Sequence, residues 1–99
     1  MELGLEGKIA VITGGSRGIG KGIAQRLADE GCDILLVSAT EANLKAAQEE
    51  IASTTNRRVE ICPADMSDPA GADAVLEATA DAYGRVDILV NSAGVAVGG

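Results

Sequence analysis

The sequence predicts an α/β fold in which one parallel sheet is covered by helices on both faces. Three observations carry this expectation. Short apolar runs alternate with longer amphipathic stretches along all 99 residues, the rhythm of β-α-β-α-β-α-β. The runs are apolar at successive positions, as in Ile34-Leu35-Leu36-Val37, so both faces of each strand need cover. A glycine cluster, Thr13-Gly14-Gly15-Ser16-Arg17-Gly18-Ile19-Gly20, joins the first apolar run to the first amphipathic stretch.

The elements follow in order. Lys8–Thr13, built on Ile9-Ala10-Val11-Ile12, is the first strand. A helix over Gly18–Glu30 repeats Ile19, Ile23 and Leu27 every four residues, which marks one apolar face. Gly31 stands where a helix ends on a left-handed residue. Asp33–Val37 is the second strand. Thr40 is a candidate N-cap for a helix to Ala52, with Leu44, Ala47 and Ile51 on its inner side. Arg58–Cys62 is the third strand. Asp68-Pro69 reads as N-cap and first helical residue of a helix that turns Ala72, Val75, Leu76 and Thr79 inward and ends near Gly84. Val86–Asn91 is the fourth strand, and Ser92–Gly99 is small and glycine-rich.

Right-handed crossovers put the first two helices on one face of the sheet. A return to the far side of the first strand puts the third helix on the other face, in the strand order 3-2-1-4. Residues 1–99 then form one unit with a thinly covered face and a bare fourth strand at its edge. Such edges are protected in natural proteins, so the expectation is an N-terminal part of a larger domain, with further chain beyond Gly99.

Composition narrows the function. The net charge is −7 and the isoelectric point is near 4.3, whereas nucleic acid is bound by clustered Lys and Arg. Tyr83 is the only aromatic residue, so no base-stacking platform is expected. There is no histidine, which removes a Ser-His-Asp arrangement and any histidine-based metal site within the chain; no metal site is expected. Cys32 and Cys62 would be offset by roughly 15 Å along neighbouring strands. A disulfide needs Cα atoms within about 7 Å, so both read as small buried residues. No run is long enough to span a bilayer, and Met1–Glu6 lacks the features of a signal peptide. A cytoplasmic location is the simplest expectation.

A strand, glycine turn and helix in that order present backbone N–H groups and the positive end of a helix dipole to a phosphate. Three readings fit. The first is a dinucleotide site, with Gly14 for the turn, Gly18 for close phosphate approach and Gly20 for packing of helix on strand. The second is an NTPase phosphate loop: Gly15 to Lys21 matches as far as the lysine, but Gly22 replaces the hydroxyl that would hold magnesium. The third is a turn that only joins strand to helix.

The whole chain resembles the short-chain dehydrogenase/reductase family. Thr13–Gly20 looks like its T-G-x-x-x-G-x-G segment, and Asn91-Ser92-Ala93-Gly94 is similar to its N-N-A-G motif, with Ser92 for the second Asn. Asp65-Met66 falls where that family has an acidic residue after the third strand, and Leu5–Lys8 and Gly84–Val90 match its usual flanks. The resemblance implies a doubly wound Rossmann-type sheet. It implies that Gly14, Ser16, Arg17, Gly18, Ile19 and Gly20 line the pyrophosphate and nearby ribose. It also implies that Asp65 accepts a hydrogen bond from the adenine amino group, that Met66 packs beside the ring, and that Asn91, Ala93 and Gly94 border the cofactor. From the residues alone, Asp65 could instead be a loop carboxylate assisting Asp68, and Asn91 could fix backbone between strands. Arg85 and the pair Arg57-Arg58 read as solvated surface.

Cofactor choice rests on Ser38. A site for NAD carries a carboxylate near the end of the second strand, and this chain has Val37-Ser38-Ala39-Thr40 there. Ser38 does not repel a 2′-phosphate, and Arg17 supplies a cation nearby, so NADP(H) is expected over NAD(H). In the family a Ser and a Tyr-x-x-x-Lys pair perform hydride chemistry on a carbonyl or secondary alcohol. Here the residue four after Tyr83 is Asp87. Tyr83 therefore reads as a packing residue, and no residue is assigned a catalytic role. Two expectations stand: the cofactor-binding part of an NADP(H)-dependent, 3-oxoacyl reductase-like oxidoreductase that is a homo-oligomer at full length, or a catalytically silent nucleotide-binding module.

Overall fold

The computed structural model describes residues 4–14 and 18–92. The elements are β1 (Ile9–Thr13), α1 (Gly18–Asp29), β2 (Asp33–Ser38), α2 (Glu41–Ala52), β3 (Val59–Pro63), α3 (Pro69–Ala82) and β4 (Ile88–Asn91). All strand pairs are parallel, and the sheet order is β3-β2-β1-β4, as the crossover rule requires. The register aligns Thr13 with Val37 and with Asn91, and Ser38 with Pro63. All four strands therefore end at one rim. Pro63, which cannot donate to a ladder, sits on the edge strand.

Alternation along the strands divides the core between the two faces. Ala10 and Ile12 of β1 and Ile34 and Leu36 of β2 pack with Ala24 and Ala28 of α1 and Leu44, Ala47 and Ile51 of α2. Val11, Leu35, Val37 and Cys62 face the other way, against Val75 of α3. Cys32 belongs to the first cluster and Cys62 to the second, and both thiols are free. Burial pushes both thiols up in pKa, as expected of packing residues.

Two helix faces differ from the periodicity. The stripe of α1 against the sheet is Gly20, Ala24 and Ala28, while Ile19 is 77% exposed; Leu27 is only partly buried, at the rim of the core. Small residues let the helix backbone approach β1, and the larger side chains flank the contact instead. The inner stripe of α3 is Gly71, Val75 and Thr79; Ala72 is exposed and Leu76 is 66% exposed. A methyl group on Gly71 would collide with the Asp65 carbonyl, so the bare Cα seats the start of α3 and sets its rotation.

Helix ends follow local chemistry. Gly31 has φ of 101° and its N–H donates to Ala28. The Asp68 carboxylate accepts the Ala70 N–H at 3.0 Å, ahead of Pro69. Thr40 is extended at the start of α2, but its hydroxyl makes no capping bond.

Arg58 and Arg85 lie exposed, as expected, but all three of Arg57, Arg58 and Arg85 are paired. Arg57 pairs with Asp33 at 3.2 Å, and Arg85 binds Asp87 and the Gly7 carbonyl, each at 3.0 Å. Arg58 pairs with Glu60, donates to the Ala82 carbonyl, and lies 4.9 Å from the centre of the Tyr83 ring. Beneath it the Tyr83 hydroxyl donates to the Ile34 carbonyl at 2.7 Å. These contacts bind the amino ends of the strands together. The Arg57–Asp33, Arg58–Ala82, Tyr83–Ile34 and Arg85–Gly7 contacts join residues distant in sequence, which is why local reading misses them.

Candidate functional site: the rim at the carboxyl ends of the strands

The opposite rim gathers the glycine turn, Ser38, the Asp65 loop and the end of β4. Gly14 follows β1 with φ of 72°, and its N–H donates to the Val37 carbonyl at 2.7 Å. Gly18 begins α1 with φ of 62°. Both values lie in the left-handed region that side chains disfavour. The first turn of α1 carries no acidic residue. The positive end of that dipole is thus left for an anion.

Gly20 is where turn, helix and sheet converge. A Cβ there would run into both the Gly14 carbonyl and the Ser92 hydroxyl. Ser92 in turn donates from Oγ to the Thr13 carbonyl at 2.6 Å. The buried Thr13 donates from Oγ1 to Asn91 Oδ1 at 2.9 Å. Asn91 and Ser92 therefore lace β4 to β1 just below the glycine turn. The bonding of Thr13 and Ser92 had no sequence signal beyond the Ser that departs from the motif.

At the neighbouring strands, the Ser38 carbonyl accepts the Ala64 N–H at 2.9 Å and Ser38 Oγ accepts the Thr40 N–H at 3.3 Å. The chain then enters the exposed Asp65-Met66-Ser67 loop, with Met66 40% exposed. Both the Ser67 N–H and its hydroxyl donate to Asp65 Oδ1, at 2.9 and 2.6 Å. These bonds hold the Asp65 carboxyl below its ordinary pKa. Ile19 lies exposed at the same rim. Of the expected site residues, Ser16, Arg17, Ala93 and Gly94 lie outside the described residues.

Lys21 does not serve the turn. It pairs with Glu50 of α2 at 2.6 Å, which removes the lysine from the NTPase reading. No group of three or more Cys, Asp and Glu side chains that could hold a metal ion occurs among the described residues. No described helix is long and apolar enough to cross a membrane. Tyr83 lies at the far end of the sheet with its hydroxyl on a backbone carbonyl. Burial, reinforced by the charge of Glu60, raises its pKa.

A family model described as short chain dehydrogenase matches residues 8–99. The chain belongs to the short-chain dehydrogenase family. It is 44% identical over 91 residues to a 2-dehydro-3-deoxy-D-gluconate 5-dehydrogenase of Dickeya dadantii, covering 92% of this chain and 35% of that protein. It is 38% identical over 93 residues to a 3-oxoacyl-[acyl-carrier-protein] reductase of Vibrio cholerae, covering 94% and 36%. The L-sorbose reductase of Gluconobacter frateurii, solved with NADPH and L-sorbose, superposes with a TM-score of 0.94 at 40% identity, over 100% of this chain and 38% of that one. The chain thus spans a little over a third of the length of these short-chain dehydrogenase relatives.

Proposed function

We propose that this chain is the cofactor-binding part of an oxidoreductase that transfers hydride between NADP(H) and a carbonyl or secondary alcohol. The observation that carries the reading is the convergence at one rim of four parts. These are the Gly14–Gly20 turn before an unneutralised helix start, the acid-free end of β2 at Ser38, the Asp65 carboxylate and the laced end of β4. The turn would hold the pyrophosphate with Gly14, Gly18, Ile19 and Gly20, assisted by Ser16 and Arg17. Ser38 and Arg17 would admit the 2′-phosphate, and Asp65 would take the adenine amino group beside Met66. Asn91, Ala93 and Gly94 would border the nicotinamide half.

The relatives named above act on a keto acid, a 3-oxoacyl group and a ketose by their names. We favour a 3-oxoacyl thioester as substrate and a homo-oligomer as the full-length assembly. A second reading, nucleotide binding without chemistry by this chain itself, is supported by one observation: its only tyrosine is committed to packing.

Titration of intrinsic NADPH fluorescence tests the site. NADPH is expected to bind about tenfold more tightly than NADH, and Arg17→Ala is expected to erase most of that preference. Equal affinity for both cofactors, unaffected by Arg17→Ala, would remove the 2′-phosphate assignment.

A further inference from the structure

The Asp65 loop is built around one side chain that the reading above does not use. Ser67 directs two donors, its N–H at 2.9 Å and its hydroxyl at 2.6 Å, to the same carboxylate oxygen of Asp65. Among the described residues no donor reaches the other oxygen. A carboxylate has about four acceptor positions over two oxygens, so this arrangement is one-sided.

The backbone beneath is equally fixed. The Asp65 carbonyl accepts the Asp68 N–H at 3.1 Å, and bare Gly71 sits against that carbonyl. The start of α3 is capped by Asp68, which accepts from Ala70. The Asp65 side chain is therefore not the helix cap. Its exposed carboxylate is held at the rim, one strand beyond Ser38, with Oδ1 occupied by Ser67.

We propose that Ser67 is a positioning residue for nucleobase recognition, fixing Asp65 so that a single acceptor oxygen, Oδ2, meets the base edge and selects adenine over 6-oxopurines. This rests on the reading of Asp65 as the adenine contact. Adenine offers an amino donor at the six position, whereas hypoxanthine offers a carbonyl acceptor there. A carboxylate oxygen bonds the first and repels the second. A carboxylate free to rotate could turn its edge away or admit water. One already bonded twice on Oδ1 cannot do so without breaking charge-assisted bonds.

The test compares NADPH with nicotinamide hypoxanthine dinucleotide phosphate on the protein by fluorescence titration. The unaltered protein is expected to prefer NADPH by about tenfold. Ser67→Ala keeps the backbone donor but loses the hydroxyl, and the preference is expected to fall to about threefold. Ser67→Thr is expected to restore it. Affinity for the hypoxanthine cofactor should change little across the series, whereas a merely structural effect would weaken both cofactors alike. A full preference retained in Ser67→Ala while Asp65→Asn abolishes it would overturn the role of Ser67 and leave the Asp65 reading intact. No preference in the unaltered protein would overturn the Asp65 reading itself.

Discussion

The two rims of the sheet are built by opposite means. At the amino ends, charged and aromatic side chains reach between elements: Arg58 over Tyr83, Tyr83 onto the Ile34 carbonyl, Arg57 to Asp33, and Asp87 to the Ile9 N–H at 2.8 Å. At the carboxyl ends, short residues and bare backbone do the joining: Gly14, Gly18 and Gly20, the Thr13–Asn91 and Ser92–Thr13 bonds, and Gly71 against Asp65. A rim closed by glycine and serine keeps the left-handed turn and the helix start accessible. The contrast separates stability from binding, and each prediction below is a way to break or sharpen that separation.

Gly20→Ala should break it most severely, because turn, helix and β4 meet there. The added methyl group must displace the Gly14 carbonyl or the Ser92 hydroxyl. Overpacking of this kind costs about 1–3 kcal/mol. Since the Gly14 carbonyl belongs to the turn and the Ser92 hydroxyl holds the β4 end beneath it, NADPH affinity should also fall by about tenfold or more. Denaturant melts and fluorescence titration on the same protein measure both.

Tyr83→Phe acts at the other rim alone. It leaves the Ile34 carbonyl without the phenol donor, a loss of about 1 kcal/mol. NADPH affinity should be unchanged. A melting curve shifted together with a weakened cofactor would show that the rims are coupled.

Asp87→Asn should have the smallest effect, a stability loss present at neutral pH that fades in acid. The Ile9 N–H, and after it Arg85, hold the Asp87 carboxyl below its ordinary value. A carboxyl depressed in the folded state contributes its full stability above the unfolded value, about pH 3.9, and loses it as pH falls through the lower folded value. The variant should therefore flatten the stability curve below about pH 4 and leave binding at neutral pH untouched. An unaltered acid limb would show that the carboxyl titrates alike in both states.

The strand order was legible because crossover handedness and strands apolar on both faces leave few arrangements. The Gly31 terminus and the Asp68-Pro69 start were legible because each is local chemistry. The inner faces of α1 and α3 were not. A four-residue repeat fits Ile19-Ile23-Leu27 as well as Gly20-Ala24-Ala28, and burial chose the smaller set because the backbones must approach. The amino-end contacts were invisible for another reason: Arg58 and Tyr83, or Ile9 and Asp87, are joined only by the fold. Within the site, Gly14, Gly20 and Asp65 announced themselves by residue type and spacing. Ser67 did not, because its role depends on where a turn aims two donors.

The most direct test of the separation is amide-resolved NMR of the protein titrated with NADPH. Shift changes should concentrate at Gly14, Gly18–Gly20, Ser38, Asp65–Ser67 and Asn91-Ser92, and leave Ile9, Asp33, Arg58 and Tyr83 unmoved. Changes centred on the Arg58–Tyr83 rim, or none at the glycine turn when NADPH is saturating, would contradict it.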